Sequence, residues 1–266
     1  MGLSALGGCG DNSIDVYLIG GQSNAVGNAY LEDLSADDLN KNYENTLYYA
    51  EGTVSEAAYG TLTYVTTETD KGQGWTPAHF GVEVGMAKKF QKESKDKHAL
   101  IKCAFNGSSI NKNNTSMGSW WTEATEIPNV SIKCYDRFIQ AVLSGMQALR
   151  DEGYNPKIKA MVWLQGESNA GNSSYLQDLR TLRDKIRSLF SVPDMYFVAG
   201  EISNAKYGED CAVNVAVHEF ANDDNCDYVA CGELPLDTRT NNIYHWTGAY
   251  MLQIGEMFAD KLLENV

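Results

Sequence analysis

The stretch V-Y-L-I-G-G-Q-S-N-A-V-G, from Val16 to Gly27, decides the fold of this 266-residue chain. Val16-Tyr17-Leu18-Ile19 is an unbroken apolar run and predicts a short interior strand. Gly20-Gly21 lets the backbone turn sharply, and Gln22-Ser23-Asn24 stands where a following helix begins. Such a turn aims Ser23 outward from the end of a buried strand. Unpaired backbone N–H groups at a helix start, with the helix dipole, favour an oxyanion beside the hydroxyl. Ser23 is therefore the first candidate nucleophile; the alternative is an ordinary helix-capping serine.

Working outward, apolar strand-like runs recur at Ala99–Phe105, Ile158–Leu164, Met195–Ala199 and Tyr228–Ala230, with helical periodicity filling most gaps. The alternation predicts an α/β fold with a central parallel sheet and helices on both faces. Phe138, Val142, Met146 and Leu149 form one core-facing helical stripe. Leu176, Leu179, Leu182, Ile186 and Leu189 form another, and Met251, Ile254, Phe258 and Leu262 a last one. The segment from Tyr30 to Pro77, rich in Tyr, Thr, Gly and acidic residues, is expected to be long loops with short strands. Asn106 to Pro128 is a second irregular segment. Both suit the walls of a cleft at the carboxyl ends of the strands, where open parallel sheets bind ligands. Trp120 and Trp121 fit stacking on a sugar face, or else plug the core beneath the loop.

No linker-like stretch divides the chain, so one domain over 15–266 is expected, preceded by a leader or tail over 1–14. Leu6-Gly7-Gly8-Cys9 has the look of a lipoprotein signal remnant, which points to a secreted or cell-surface protein. A net charge of −14 with scattered Lys and Arg makes nucleic acid and anionic membranes poor partners. No transmembrane segment is expected. Six cysteines contain no C-x-x-C pair and no tight Cys/His cluster, so no zinc site is expected. Cys103 sits in a strand-like run as a buried thiol, whereas Cys211, Cys226 and Cys231 are near enough in sequence for a bridge.

A serine needs a base, an acid to orient that base, and oxyanion donors. Of four histidines, His98 lies in a charged segment that suggests a solvated helix end, and His218 lies within a helical stretch. His79 precedes a helix. His245, in a loop entering the last helix, can swing over Ser23 from the far end of the chain and is the choice for general base. Trp163-Leu164-Gln165-Gly166-Glu167-Ser168-Asn169 ends a strand with polar residues: Gln165 offers an amide donor and Glu167 a carboxylate for the imidazole. Gly107, in Asn106-Gly107-Ser108-Ser109, can present its N–H to the same oxyanion.

Together, G-Q-S-N at 21–24, F-G-V-E at 80–83, N-G-S-S at 106–109, Q-G-E-S-N at 165–169 and the late His245 resemble the SGNH-type sialate O-acetylesterase and acetylxylan esterase group, carbohydrate esterase family six and relatives. The resemblance implies a flavodoxin-like three-layer α/β/α fold and a metal-free serine esterase acting on acetylated carbohydrates. It implies Ser23 as nucleophile, His245 as proton relay, and Ser23, Gly107 and Gln165 as the oxyanion hole. The group has Asp three residues before the histidine, where this chain has Asn242. An amide supplies no negative charge; members of the group that use the Q-G-E glutamate as the acid make Glu167 the substitute the resemblance implies here, with Asp237 in reserve. Three other readings stand beside this one: a catalytically weak carbohydrate-binding protein, an SGNH lipase or thioesterase with an apolar acyl trench, and a flavodoxin-like nucleotide binder. Gly20–Gly27 has neither a P-loop lysine nor G-x-G-x-x-G, which disfavours the last.

Overall fold

Strand β1 (Ser13–Gly21) is the middle strand of a seven-stranded sheet, and its side chains sort by parity. Tyr17 and Ile19 enter one hydrophobic cluster, Val16 and Leu18 the other. The computed structural model describes residues 12–39, 41–52, 60–67, 79–112, 117–239 and 243–266. Residues 1–11 of the expected leader, Cys9 among them, and Asn242 lie outside the described residues, whereas Ser13 and Ile14, also assigned to the leader, open β1.

In chain order the main elements after β1 are the single helical turn α1 (Ser23–Val26), β2 (Ala29–Tyr30), β3 (Asn42–Gly52), β4 (Thr63–Thr66), β5 (His79–Phe80), α2 (Val82–Glu93), β6 (His98–Ala104) and α3 (Cys134–Asp151). There follow β7 (Asn155–Leu164), α4 (Tyr175–Leu189), β8 (Tyr196–Gly200), α5 (Asn204–Tyr207), α6 (Ala212–Phe220), β9 (Cys226–Val229) and α7 (Gly248–Asn265). The sheet order is β4-β3-β6-β1-β7-β8-β9, all parallel except the antiparallel edge strand β4. Helices α2 and α7 supply residues to the cluster on one face of the sheet; α3, α4 and α6 supply the other. This is the expected three-layer α/β/α arrangement, with β2 and β5 as a separate two-stranded ribbon.

Several expectations need correction. The Tyr30–Pro77 segment contains the eleven-residue parallel strand β3, not merely loops and short strands. His98 opens β6, buried and packed against Tyr17 and Phe90, because its ring fills an aromatic slot beneath α2. Leu189, the last residue of α4, is exposed, whereas Leu179, Leu182 and Ile186 are buried as expected. Cys211, Cys226 and Cys231 are free thiols, as are Cys103 and Cys134. Among the described residues, no helix is long and apolar enough to cross a membrane.

Two close approaches set the geometry near the site. Gly21 has φ +142°, and a Cβ there would lie 2.1 Å from the Leu164 carbonyl oxygen, so only glycine lets β1 end against β7. Where α2 crosses α7, Gly85 and Gly255 leave no side chain between the backbones. A Cβ on Gly85 would meet Leu252 O at 2.2 Å. Gly85→Ala is expected to destabilise the fold by about 3 kcal/mol, since backbone cannot step aside. Gly171→Ala, whose added Cβ meets nothing within 4 Å, should change stability by under about 0.5 kcal/mol. Urea denaturation of both variants checks the pair.

Glu83, from the F-G-V-E stretch, is fully buried and paired with the equally buried Lys102 Nζ at 2.9 Å. Its other oxygen accepts the Gly81 N–H at 2.9 Å, tying the start of α2 to β6. A Cβ on Gly27, which ends α1 at φ +104°, would strike Gly81 N at 2.6 Å, so this ion pair underlies the segment that follows Ser23.

Candidate active site

Three neighbouring strands, β6, β1 and β7, deliver their carboxyl-terminal residues to one cavity of about 450 Å³. Ser23 follows β1, Asn106 and Gly107 follow β6, Glu167 and Ser168 follow β7, and Tyr244 and His245 come from the approach to α7. Gln22, Asn28, Met117 and Tyr207 complete the lining. Of the residues singled out from sequence, Ser23, Gly107, Glu167 and His245 are thus brought together; Gln165, Asp237, Trp120 and Trp121 do not line the cavity.

Ser23 opens α1 and is buried apart from a small exposed edge. Gln22 N donates to Leu164 O at 3.0 Å, and Asn28 Nδ2 donates to Ser23 O at 2.9 Å, fixing the turn on both sides. The helix is one turn long, so its dipole is small, in contrast to the full helix expected. What survives of that argument is local: the N–H groups of a first turn have no intrahelical acceptor.

Glu167 carries its carboxyl into the cavity wall. Oε1 accepts from Asn24 Nδ2 at 2.5 Å, while Oε2 is buried with no hydrogen-bond partner. Burial pushes the carboxyl up to about 7, opposed by the Asn24 bond and backbone N–H groups. Burial also pushes the His245 imidazole down to about 4; His79 adds to the fall and the Asp237 carboxylate opposes it. Both groups are therefore biased to their neutral forms when no charge passes between them. No hydrogen bond joins Glu167 to His245.

Gln165 departs from the expected oxyanion role. Its Nε2 already faces three acceptors, Gln22 Oε1 at 3.0 Å, Ser108 O at 3.1 Å and Asn169 Oδ1 at 2.8 Å, and Oε1 accepts from Tyr175 at 3.0 Å. With two amide hydrogens and three acceptors, nothing is left to donate into the cavity. Gln165 instead locks the ends of β1 and β7 together, and Gln22 Oε1 also receives Gly166 N and Ser168 N. Asn106, the first residue of the N-G-S-S motif and given no role of its own from sequence, lines the cavity, its Oδ1 accepting from Asn28 at 3.1 Å.

Neither tryptophan lines the cavity. Trp120 is fully buried, edge-on to Phe138 and Trp163, its Nε1 donating to Ser108 Oγ at 2.9 Å. Absence of a side chain on Gly20 opens the slot, since a Cβ there would lie 3.3 Å from the Trp120 ring. Trp121 is half-buried outside the cavity, bonded through Nε1 to Glu126 with Lys112 over its ring. The aromatic lining comes from Tyr207 and Tyr244, which no sequence motif marked.

The three-layer arrangement around a mostly parallel sheet is an α/β fold of the SGNH-like kind. A family model matches residues 13–264, and the chain belongs to that family: carbohydrate esterase, sialic acid-specific acetylesterase. It is thus a carboxylic ester hydrolase of the carbohydrate acetylesterase class. A protein of Arabidopsis thaliana shares the fold at TM-score 0.69 and 17% identity over 94% of this chain and 98% of its own. NanS does so at TM-score 0.64 and 13% identity, over 96% and 97%. A carbohydrate acetylesterase from Xanthomonas citri matches at TM-score 0.59 and 15% identity, over 92% of this chain and 55% of its own. No curated protein matches the chain in sequence.

Proposed function

We propose that the protein removes acetyl groups from hydroxyls of acidic sugars, of which sialic acid is the leading case, through an acetyl-serine intermediate. The observation that carries the reading is the meeting of Ser23, Gly107, Glu167 and His245, from four separate segments, around one cavity. Ser23 Oγ attacks the acetyl carbonyl carbon as His245 takes its proton. The N–H groups of Ser23 and Gly107, joined by the Asn106 amide, hold the oxyanion. As the tetrahedral species collapses, the bond to the sugar oxygen breaks and His245 returns the proton to that oxygen. His245 then deprotonates a water that attacks the acetyl-serine carbonyl; as the bond to Ser23 Oγ breaks, His245 returns the proton to that oxygen and acetate leaves.

Glu167 supplies the negative charge behind the imidazolium, using the Oε2 that has no partner at rest. Asp237 is the weaker choice because Arg239 already holds its carboxylate. In the resting enzyme a neutral His245 is a competent base, and the charge pair forms only as the proton moves, which favours the transition state over the ground state.

The substrate reading rests on the lip. Met117, Tyr207 and Tyr244 give the apolar surface that a sugar face packs against, and among the described residues no Leu, Ile or Val lines this cavity to receive a fatty acyl chain. Lys206 Nζ stands 4.4 Å from the Tyr244 ring centroid and pairs with no described carboxylate, an available cation for an anionic sugar. Acetate release is expected to show a higher kcat/KM on O-acetylated sialic acid than on acetylated xylan, and Lys206→Met should reduce that preference about tenfold. Equal rates on both substrates refute the acidic-sugar preference. Inertness on every acetyl ester refutes the esterase and favours a sugar-binding protein.

A further inference from the structure

Asp237 and His245 face each other across a short antiparallel contact. Asp237 N donates to His245 O at 2.8 Å, next to the Leu236–Trp246 bridge. Arg239 grips that Asp237 with Nε at 2.9 Å from Oδ1 and 2.7 Å from Oδ2, and with its backbone N at 2.8 Å from Oδ1. Its Nη2 adds a further bond to Asp237 and reaches Asp33 Oδ2 at 2.6 Å, while Nη1 reaches Glu32 Oε1 at 2.8 Å. The guanidinium also lies 3.9 Å from the Tyr30 ring centroid. Asp33 Oδ2 in turn accepts the N–H of Gly248, the first residue of α7, at 2.9 Å.

One side chain thus joins the segment before His245, the helix start after it, and the Leu31–Asp33 turn that follows the Ser23 helical turn and β2. We propose that Arg239 is a positioning residue for the esterase reaction: by gripping Asp237 and, through Asp33, the start of α7, it sets His245 over Ser23 and offsets the Asp237 charge beside the segment that carries the ring. The inference rests on the esterase reading for its kinetic part only. Among the described residues, those facing His245 include Asp237 from the opposed segment, His79 from β5, Glu167 beyond β7, and the Tyr207 and Tyr244 rings across the cavity. Of these, Asp237 is the anion already acting to raise the proton affinity of His245, against burial and His79, which lower it. Without Arg239 that carboxylate acts uncompensated. Asp33 and Glu32 then also repel Asp237, loosening the loop that carries the imidazole.

The test is an NMR pH titration of the His245 ring in the wild-type chain and in Arg239→Met, beside steady-state hydrolysis of p-nitrophenyl acetate. Wild-type His245 should titrate near 4. Arg239→Met should bind the His245 proton about tenfold more tightly. It should also lower kcat about tenfold with KM within about twofold. Arg239→Lys should recover part of both effects, since it restores charge without the fork. Arg239→Met with Asp237→Asn should bring the titration back down. An unchanged titration in Arg239→Met overturns the inference even if the protein hydrolyses no ester, and so does a variant that loses thermal stability while keeping kcat and its pH limb. If Arg239→Met does not fold, Arg239→Lys decides alone: a titration and kcat identical to wild type overturn the proposal.

Discussion

Ser23→Ala will lower kcat for p-nitrophenyl acetate by about 10⁴-fold while leaving the fold intact. The helix N-cap is Gln22 rather than Ser23, and the turn is held by Gln22 N on Leu164 O and by Asn28 on Ser23 O, none of which uses Oγ. His245→Ala should fall by a similar factor, and the double variant should be no slower than either single one. Groups that act as a unit are lost together, so their costs do not add. Residual activity about 10³-fold above buffer is expected in each case from the oxyanion donors alone, which makes the buffer blank an essential comparison. A Ser23→Ala enzyme retaining more than a tenth of wild-type kcat, with unchanged circular dichroism, would remove Ser23 from the mechanism.

That Ser23 was legible in the sequence has a simple cause. A nucleophile at a strand end needs an apolar run, a glycine pair and a polar triplet in consecutive positions, and Val16–Asn24 supplies all three locally. Q-G-E after β7 and N-G-S after β6 are visible for the same reason, as polar residues that abruptly follow buried strands. Strand β3 hid because its first half interleaves Asn, Glu and Thr with buried Tyr43 and Thr46, so neither alternation nor an apolar run stands out. Trp120 and Gln165 hid for a different reason. Their residue types fit a binding role, but their roles depend on what the tertiary fold places beside them: a slot opened by the bare Cα of Gly20 for one, three competing acceptors for the other. Tyr207 and Tyr244 belong to the site only because β8 and the approach to α7 end on the same rim. That is a long-range fact that no local pattern encodes.

Glu167→Gln should separate catalysis from stability in opposite directions. In the proposed relay Glu167 acts as the acid behind His245 and contributes only once the imidazolium forms, so the amide variant should lose about 10² to 10³-fold in kcat with KM nearly unchanged. The pH profile supplies a second reading. Wild-type kcat/KM should climb through about 7 as the buried carboxyl ionises and fall away toward about 4 as His245 protonates. In Glu167→Gln the limb near 7 should vanish while the lower one remains. Stability moves the other way. The folded-state value of Glu167 lies above the ordinary 4.5, so the folded protein holds that proton more tightly than the unfolded chain does. Its ionisation therefore costs stability progressively as pH rises from about 4.5 through about 7. Glutamine keeps the shape without the charge and still accepts the Asn24 bond through its amide oxygen. At pH near 8 the variant should be more stable by roughly 2 kcal/mol, a shift discounted for the solvent that reaches the cavity. Near pH 4 the two proteins should melt together. Asp237→Asn, whose carboxylate is already shared with Arg239, should cost kcat no more than about tenfold. If instead Glu167→Gln keeps nearly full activity while Asp237→Asn loses it, the relay runs through Asp237, and the buried Oε2 of Glu167 faces substrate rather than imidazole.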